Sequence, residues 1–215
     1  MKYEAYLFDL NGTIIDDMHF HARAWESILN KDLGANLSYE QVVLQMYGKN
    51  SELLERVFGK DHFTQKEMDR ISLEKEKRYQ EEFRPHLKLI DGLDIFLEKA
   101  YQAGIKMAIG SAAIPFNIDF ILDNLNLRKY FGSIVSADDV NTSKPDPETF
   151  TKAAQQLNVL FEKCLVFEDA PKGIEAAQNA GMDGLCITTL HPKEDFKNYS
   201  NIVKFISNYS DLELL

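Results

Sequence analysis

Ala5-Tyr6-Leu7-Phe8-Asp9-Leu10-Asn11-Gly12-Thr13 decides the reading of the fold: an apolar run delivers a carboxylate into a glycine turn. A buried strand has to end before a charge appears, because an unpaired ion costs several kcal/mol in an apolar interior. The pattern therefore predicts a strand over Ala5–Phe8 with Asp9 at its carboxyl end, where open α/β sheets place their ligands. Asp-x-Asn-Gly is also ordinary turn chemistry. The segment gains meaning from two companions far along the chain, Ser143-Lys144-Pro145 and Val166-Phe167-Glu168-Asp169.

Further strand signals lie at Lys106–Ile109, Ser133–Ser136, Cys164–Phe167 and Gly184–Thr188, with helical patterns between them. This alternation is that of a parallel sheet covered on both faces. Phe150, Ala153, Ala154 and Leu157 repeat at helical spacing after Asp146 as N-cap and Pro147 in the first turn. Ala170, Ile174 and Ala177 mark another helix, with Gly181 suited to its C-terminal cap. From about Asp16 to Arg84 the rhythm breaks into charged, helical sequence, with Phe20, Ala24 and Ile28 one turn apart and Trp25 and Leu29 beside them. Pro85 and Asp91-Gly92 punctuate the return to the sheet.

The chain has 215 residues, 45% hydrophobic and 27% charged, enough for one generous domain or a core with a small insert. Its net charge of −10 argues against nucleic acid and against an anionic membrane surface. A small anion still binds if a cation and one lysine reverse the field locally. Met1-Lys-Tyr-Glu4 carries an acid before any long apolar run, so no signal peptide is expected, and no stretch approaches the roughly 18 to 20 apolar residues of a membrane span. Cys164 and Cys186 read as buried strand thiols. A cytoplasmic monomer is the expectation.

Four short motifs fall in one order: Asp9 to Thr13, Ser111 closing Met107-Ala-Ile-Gly-Ser111, Lys144 before Pro145, and Glu168-Asp169. Together they resemble the haloacid dehalogenase superfamily of phosphotransferases, whose first motif is Asp-x-Asp-Gly-Thr/Val. The resemblance covers nearly the whole chain; the first motif departs at one place, where Asn11 stands for the second aspartate. It implies an α/β fold, a Rossmann-like parallel sheet formed by residues 1–15 and 85–215. It also implies an inserted α-helical cap over residues 16–84, hinged at two linkers as in β-phosphoglucomutase-like members. Such a cap excludes water from an active site when it closes.

The resemblance further implies roles for particular residues. Asp9 would be the nucleophile, forming an aspartyl phosphate. Asp9, Asp169 and the backbone carbonyl of Asn11 would hold Mg2+, with Glu168 binding directly or through water. Lys144 would neutralise phosphate charge, and Ser111 would hydrogen-bond a phosphate oxygen, assisted by N–H groups near Gly12 and Ala112. Each has a plainer alternative: Glu168-Asp169 as an acidic pair at a helix N-terminus, Lys144 as a solvated lysine, Ser111 as a turn serine.

In the insert, Asp17, His21 and Trp25 share one helical stripe. Family members carry a His and a Trp at the matching places, where the His couples cap closure to proton transfer. The alternative is Asp17 as an N-cap, an exposed His21 and Trp25 as core. His19-Phe20-His21 lacks the further ligands of a zinc site.

The departures bear on the reaction. Gly48-Lys49-Asn50-Ser51 has no arginine where β-phosphoglucomutase grips its second phosphate, although Lys49 adds charge and Lys75 matches a second cap residue. After Ser111 the chain reads Ala112-Ala113-Ile114-Pro115 in place of the mutases' Ala-Ser-Lys-Asn, with Asn117 the nearest polar group. With two grips missing, hydrolysis of a small phosphate ester, a sugar phosphate above all, is favoured over a mutase. A phosphate-binding or regulatory protein is kept open by Asn11. A dehalogenase, which needs no metal, would leave Glu168-Asp169 without a task.

Overall fold

Along β1 (Ala5–Phe8) all four side chains are completely buried, because both faces of the sheet are covered. Ala5 and Leu7 pack on one face with Ala108, Phe150 and Val166. Tyr6 and Phe8 turn to the other, where Tyr6 stacks on Phe96 at 5.6 Å and Phe8 on Phe167 at 4.4 Å.

The computed structural model describes residues 2–215. After β1 come α1 (Met18–Glu26), prolonged by a π-helical turn over Ser27–Asp32, α2 (Tyr39–Val43), α3 (Asn50–Phe58) and α4 (Gln65–Phe83). The chain continues through α5 (Leu93–Gln102), β2 (Lys106–Gly110), α6 (Pro115–Asn124), β3 (Ser133–Val135) and α7 (Glu148–Leu157). It ends with β4 (Cys164–Glu168), α8 (Pro171–Asn179), β5 (Asp183–Ile187) and β6 (Ile202–Ile206). Two compact units result: the stretch up to Asp16 together with Lys88–Leu215, and Asp17–Leu87. The insert thus opens at Asp17 rather than Asp16 and closes at Leu87 rather than Arg84.

The first unit is an α/β fold. Its sheet is parallel, in the order β3-β2-β1-β4-β5-β6. Strand order reverses between β1 and β4, and in such sheets the crevice at that switch point is the ligand site. Phe8 pairs with Phe167, so Asp9 and Glu168 emerge side by side. Phe8 also pairs with Ile109, which brings the end of β2 and Ser111 to the other flank. The second unit has its own core, formed by Trp25, Ile28, Leu29, Leu53, Leu54 and Ile71 among others.

Several local readings change, and the other strand bounds move by one residue. β4 runs one residue past Phe167 and keeps Glu168 in the strand, which the Lys144 ammonium 2.8 Å away makes tolerable. α7 starts at Glu148, and Asp146 caps it from outside by accepting the Glu148 N–H at 2.9 Å. β6 has no counterpart in the sequence reading: it is an edge strand whose middle residues are exposed, so it lacks a continuous apolar run. Both cysteines are free and buried in strands.

Candidate active site

The turn after β1 is closed on its own backbone. The Ile14 N–H donates to the Leu10 carbonyl at 2.8 Å and the Gly12 N–H to the Ile15 carbonyl at 2.8 Å. Gly12 has φ +75°, and a Cβ there would collide with the Asp169 carboxylate. Glycine is required on both counts. Asn11, beside it, is half-buried.

Lys144 reaches into this crevice from the loop before α7. Its Nζ lies 2.7 Å from Asp9 Oδ1 and 2.8 Å from Glu168 Oε1. The other Glu168 oxygen accepts the Ala170 N–H at 2.7 Å. One oxygen each of Asp9, Glu168 and Asp169 falls within 4.8 Å of the others, and all three residues are buried. Asp169 Oδ2 is buried with no hydrogen-bond partner.

Three carboxylates here share one ammonium. Burial pushes the Asp9 carboxyl up to about 7, with Lys144 opposing and Glu168 adding to the rise. Burial, then Glu168 and Asp9, drives Asp169 well above the carboxylate range. Burial works against a charged Lys144, but Asp9 and Glu168 outweigh it and hold the ammonium above its ordinary range. Such a cluster is short of positive charge. Hard oxygen donors and an orphaned Asp169 oxygen fit magnesium.

Just past the end of β2, Ser111 is buried and its Oγ accepts the Ala113 N–H at 3.1 Å. Ala112 is half-exposed, and Asn117 is buried in the first turn of α6.

The remaining sequence-predicted residues belong to the insert. His21 is buried, not exposed, and Asp17 stands at the N-cap position of α1 without capping it. The Asp17 carboxylate instead accepts from the Tyr79 hydroxyl and lies 3.3 Å from His21 Nε2. Lys75 Nζ is 2.6 Å from His21 Nδ1 and donates to both Glu76 oxygens at 3.0 Å. Asn50 donates to Glu76 Oε1 at 2.8 Å, and Tyr79 stacks on the His21 ring at 3.7 Å. Trp25 is in the packed core of the insert, with Lys75 Nζ 5.3 Å from its ring centre. Lys49 is half-buried at the start of α3, and its N–H donates to Glu52 at 3.0 Å. Sequence reading passed over Tyr79 and Glu76, although Lys75, Tyr79 and Phe83 form an i, i+4 row on α4. It also passed over Thr189 and Tyr209, whose hydroxyls reach the turn around Gly12.

The sequence pattern described as haloacid dehalogenase-like hydrolase matches residues 6–187. The chain belongs to that family. Among its relatives is the fructose-1-phosphate phosphatase YqaB of Escherichia coli, 31% identical over 194 residues, covering 88% of this chain and 98% of that protein. A phosphorylated carbohydrates phosphatase of Thermotoga maritima is 31% identical over 196 residues, covering 84% and 82%. The crystal structure of a β-phosphoglucomutase from Clostridium difficile superposes with a TM-score of 0.84 at 26% identity, covering 98% of this chain and 93% of the other.

Proposed function

We propose that this haloacid dehalogenase-like hydrolase is a magnesium-dependent phosphatase of small phosphate esters, sugar phosphates above all, working through an aspartyl phosphate on Asp9. The observation that carries the reading is the buried trio Asp9, Glu168 and Asp169, with Lys144 inserted between two of them. The names of the two phosphatase relatives support the substrate class.

Asp9, Asp169 and the Asn11 main-chain carbonyl would hold the ion, with Glu168 in direct or water-mediated reach. Bound magnesium would supply charge stabilisation to a phosphoryl oxygen. An Asp9 oxygen would attack phosphorus, the P–O bond to the substrate would break with its electron pair going to the ester oxygen, and that oxygen would take a proton from solvent to leave as the alcohol. Water would then attack the aspartyl phosphate, releasing inorganic phosphate and restoring Asp9. Lys144 would hold Asp9 oriented and offset phosphate charge, and Ser111 would donate to a phosphate oxygen.

Asn11 shapes the rate. An amide does not exchange a proton at neutral pH, and general acid–base catalysis is worth roughly 10²–10⁴-fold. Activity should therefore favour good leaving groups, which need little protonation. A screen of phosphate esters with the unmodified protein and Asn11→Asp tests the reading. Asn11→Asp should raise turnover of a sugar phosphate by about 10²-fold or more. If neither protein hydrolyses any ester, the phosphatase reading fails and a phosphate-binding or regulatory protein is the reading left. Phosphate reappearing on the sugar, not as free phosphate, would assign a mutase.

A further inference from the structure

The turn that carries Asp9 is held from outside by two hydroxyls distant in sequence. Thr189 Oγ1 donates to the Gly12 carbonyl at 2.7 Å, and the Tyr209 phenol donates to the Thr13 carbonyl at 3.0 Å. Thr13 is wholly buried, so its carbonyl has no water to turn to if the phenol is removed. The loss would be felt four residues from Asp9.

Tyr209 is itself rigidly placed. Its N–H donates to the Asp91 carbonyl at 2.9 Å. Gly92, at φ +82°, lets the backbones touch: a Cβ there would come within 2.5–2.7 Å of Ser210 and Tyr209 main-chain atoms. The ring lies in the aromatic layer beneath β1 and β4, 5.7 Å from Phe96 and 6.1 Å from Phe167. Next to it the Ile90 N–H donates to the Ile14 carbonyl at 3.0 Å, joining the two stretches by which the chain leaves and re-enters the sheet. Burial, then the charges of Asp169 and Asp9, hold the phenol well above its ordinary range, so it stays a donor.

We propose that Tyr209 is a positioning residue: with Thr189 it clamps the Gly12 and Thr13 carbonyls and so fixes where Asp9 and the Asn11 carbonyl stand. The catalytic part of this inference rests on the phosphatase reading, but the clamp does not. A turn free to drift by an ångström misplaces the nucleophile.

The test uses Tyr209→Phe and Thr189→Val, with Tyr199→Phe as a control whose hydroxyl meets Glu175 elsewhere in the same unit. Residue-resolved amide exchange reads the turn directly, without substrate. Tyr209→Phe should speed exchange at Gly12 and Ile14 by about tenfold or more, and the control should not. With an aryl phosphate and magnesium, well below each melting temperature, kcat should fall by about tenfold while KM moves by less than about twofold. Unchanged exchange would overturn the clamp. A lower melting temperature with unchanged kcat would reduce Tyr209 to a packing residue and overturn its positioning role. If the unmodified protein turns over no ester, the phosphatase reading fails while exchange still decides the clamp. If Tyr209→Phe does not fold, Thr189→Val, at a half-exposed position, carries the same two measurements.

Discussion

At the carboxyl ends of β1 and β4 three buried carboxylates share the ammonium of Lys144, whereas in the insert Asp17 and Glu76 meet Lys75, His21, Tyr79 and Asn50. The two lysines respond in opposite directions. Excess negative charge holds Lys144 above its ordinary range, while burial, opposed by Glu76 and Asp17, pulls Lys75 below it. Burying charge is tolerable when partners are at hand and costly when they are not. The insert's cluster sets two carboxylates against the Lys75 ammonium, with the His21 ring beside them. The core's cluster sets three carboxylates against one ammonium, a larger excess of negative charge that a divalent cation would offset.

The sharpest way to break this contrast is Asp169→Asn. It removes one of three crowded carboxylates at constant size. Turnover should fall to background and magnesium should no longer stabilise the protein, yet the metal-free melting temperature should rise by a few degrees because like-charge repulsion is relieved. A fall in metal-free stability would mean that Asp169 is a structural partner.

Lys75→Met should do the opposite in the insert. It strips the ammonium that donates to both oxygens of the buried Glu76. A loss of about 3–5 kcal/mol is expected, read as a lower midpoint in denaturant unfolding. A change below about 1 kcal/mol would show that Lys75 does not offset the buried Glu76 charge.

A smaller effect is expected from pH. The Asp9 carboxyl sits at about 7 when folded, against about 4 in an unfolded chain. The folded state therefore holds the extra proton between those values, and its stability is greatest at low pH and declines as pH rises through the window. Asp169, shifted the same way, adds to the trend, while Lys144, shifted upward, stays charged throughout. Metal-free protein should melt lower at pH 8 than at pH 5, and magnesium should stabilise it more at pH 8. A flat profile would remove the charge deficit.

Much of this was legible along the chain because charge after an apolar run marks a strand end. Asp9 and Asp169 each follow such a run, and Glu168 closes one. Helix faces such as Phe150, Ala153, Ala154 and Leu157 were legible from their spacing, and all four are buried. β6 was not, since an exposed edge needs no apolar continuity. Tyr209 and Thr189 were not either: each acts through a hydroxyl on a main-chain carbonyl nearly 200 or more than 170 residues away. No residue type or spacing announces such a bond. The capping alternative for Asp17 fails because tertiary partners took its carboxylate, although an aspartate before a helix looks like a cap.

The most direct measurement is hydrolysis of an aryl phosphate by the unmodified protein after exhaustive chelation, followed by titration with magnesium. A leaving group that needs no proton bypasses Asn11 and isolates the Asp9, Glu168 and Asp169 cluster. Activity should vanish on chelation and return saturably with magnesium. Turnover that persists undiminished without divalent metal would contradict a site built around a divalent cation.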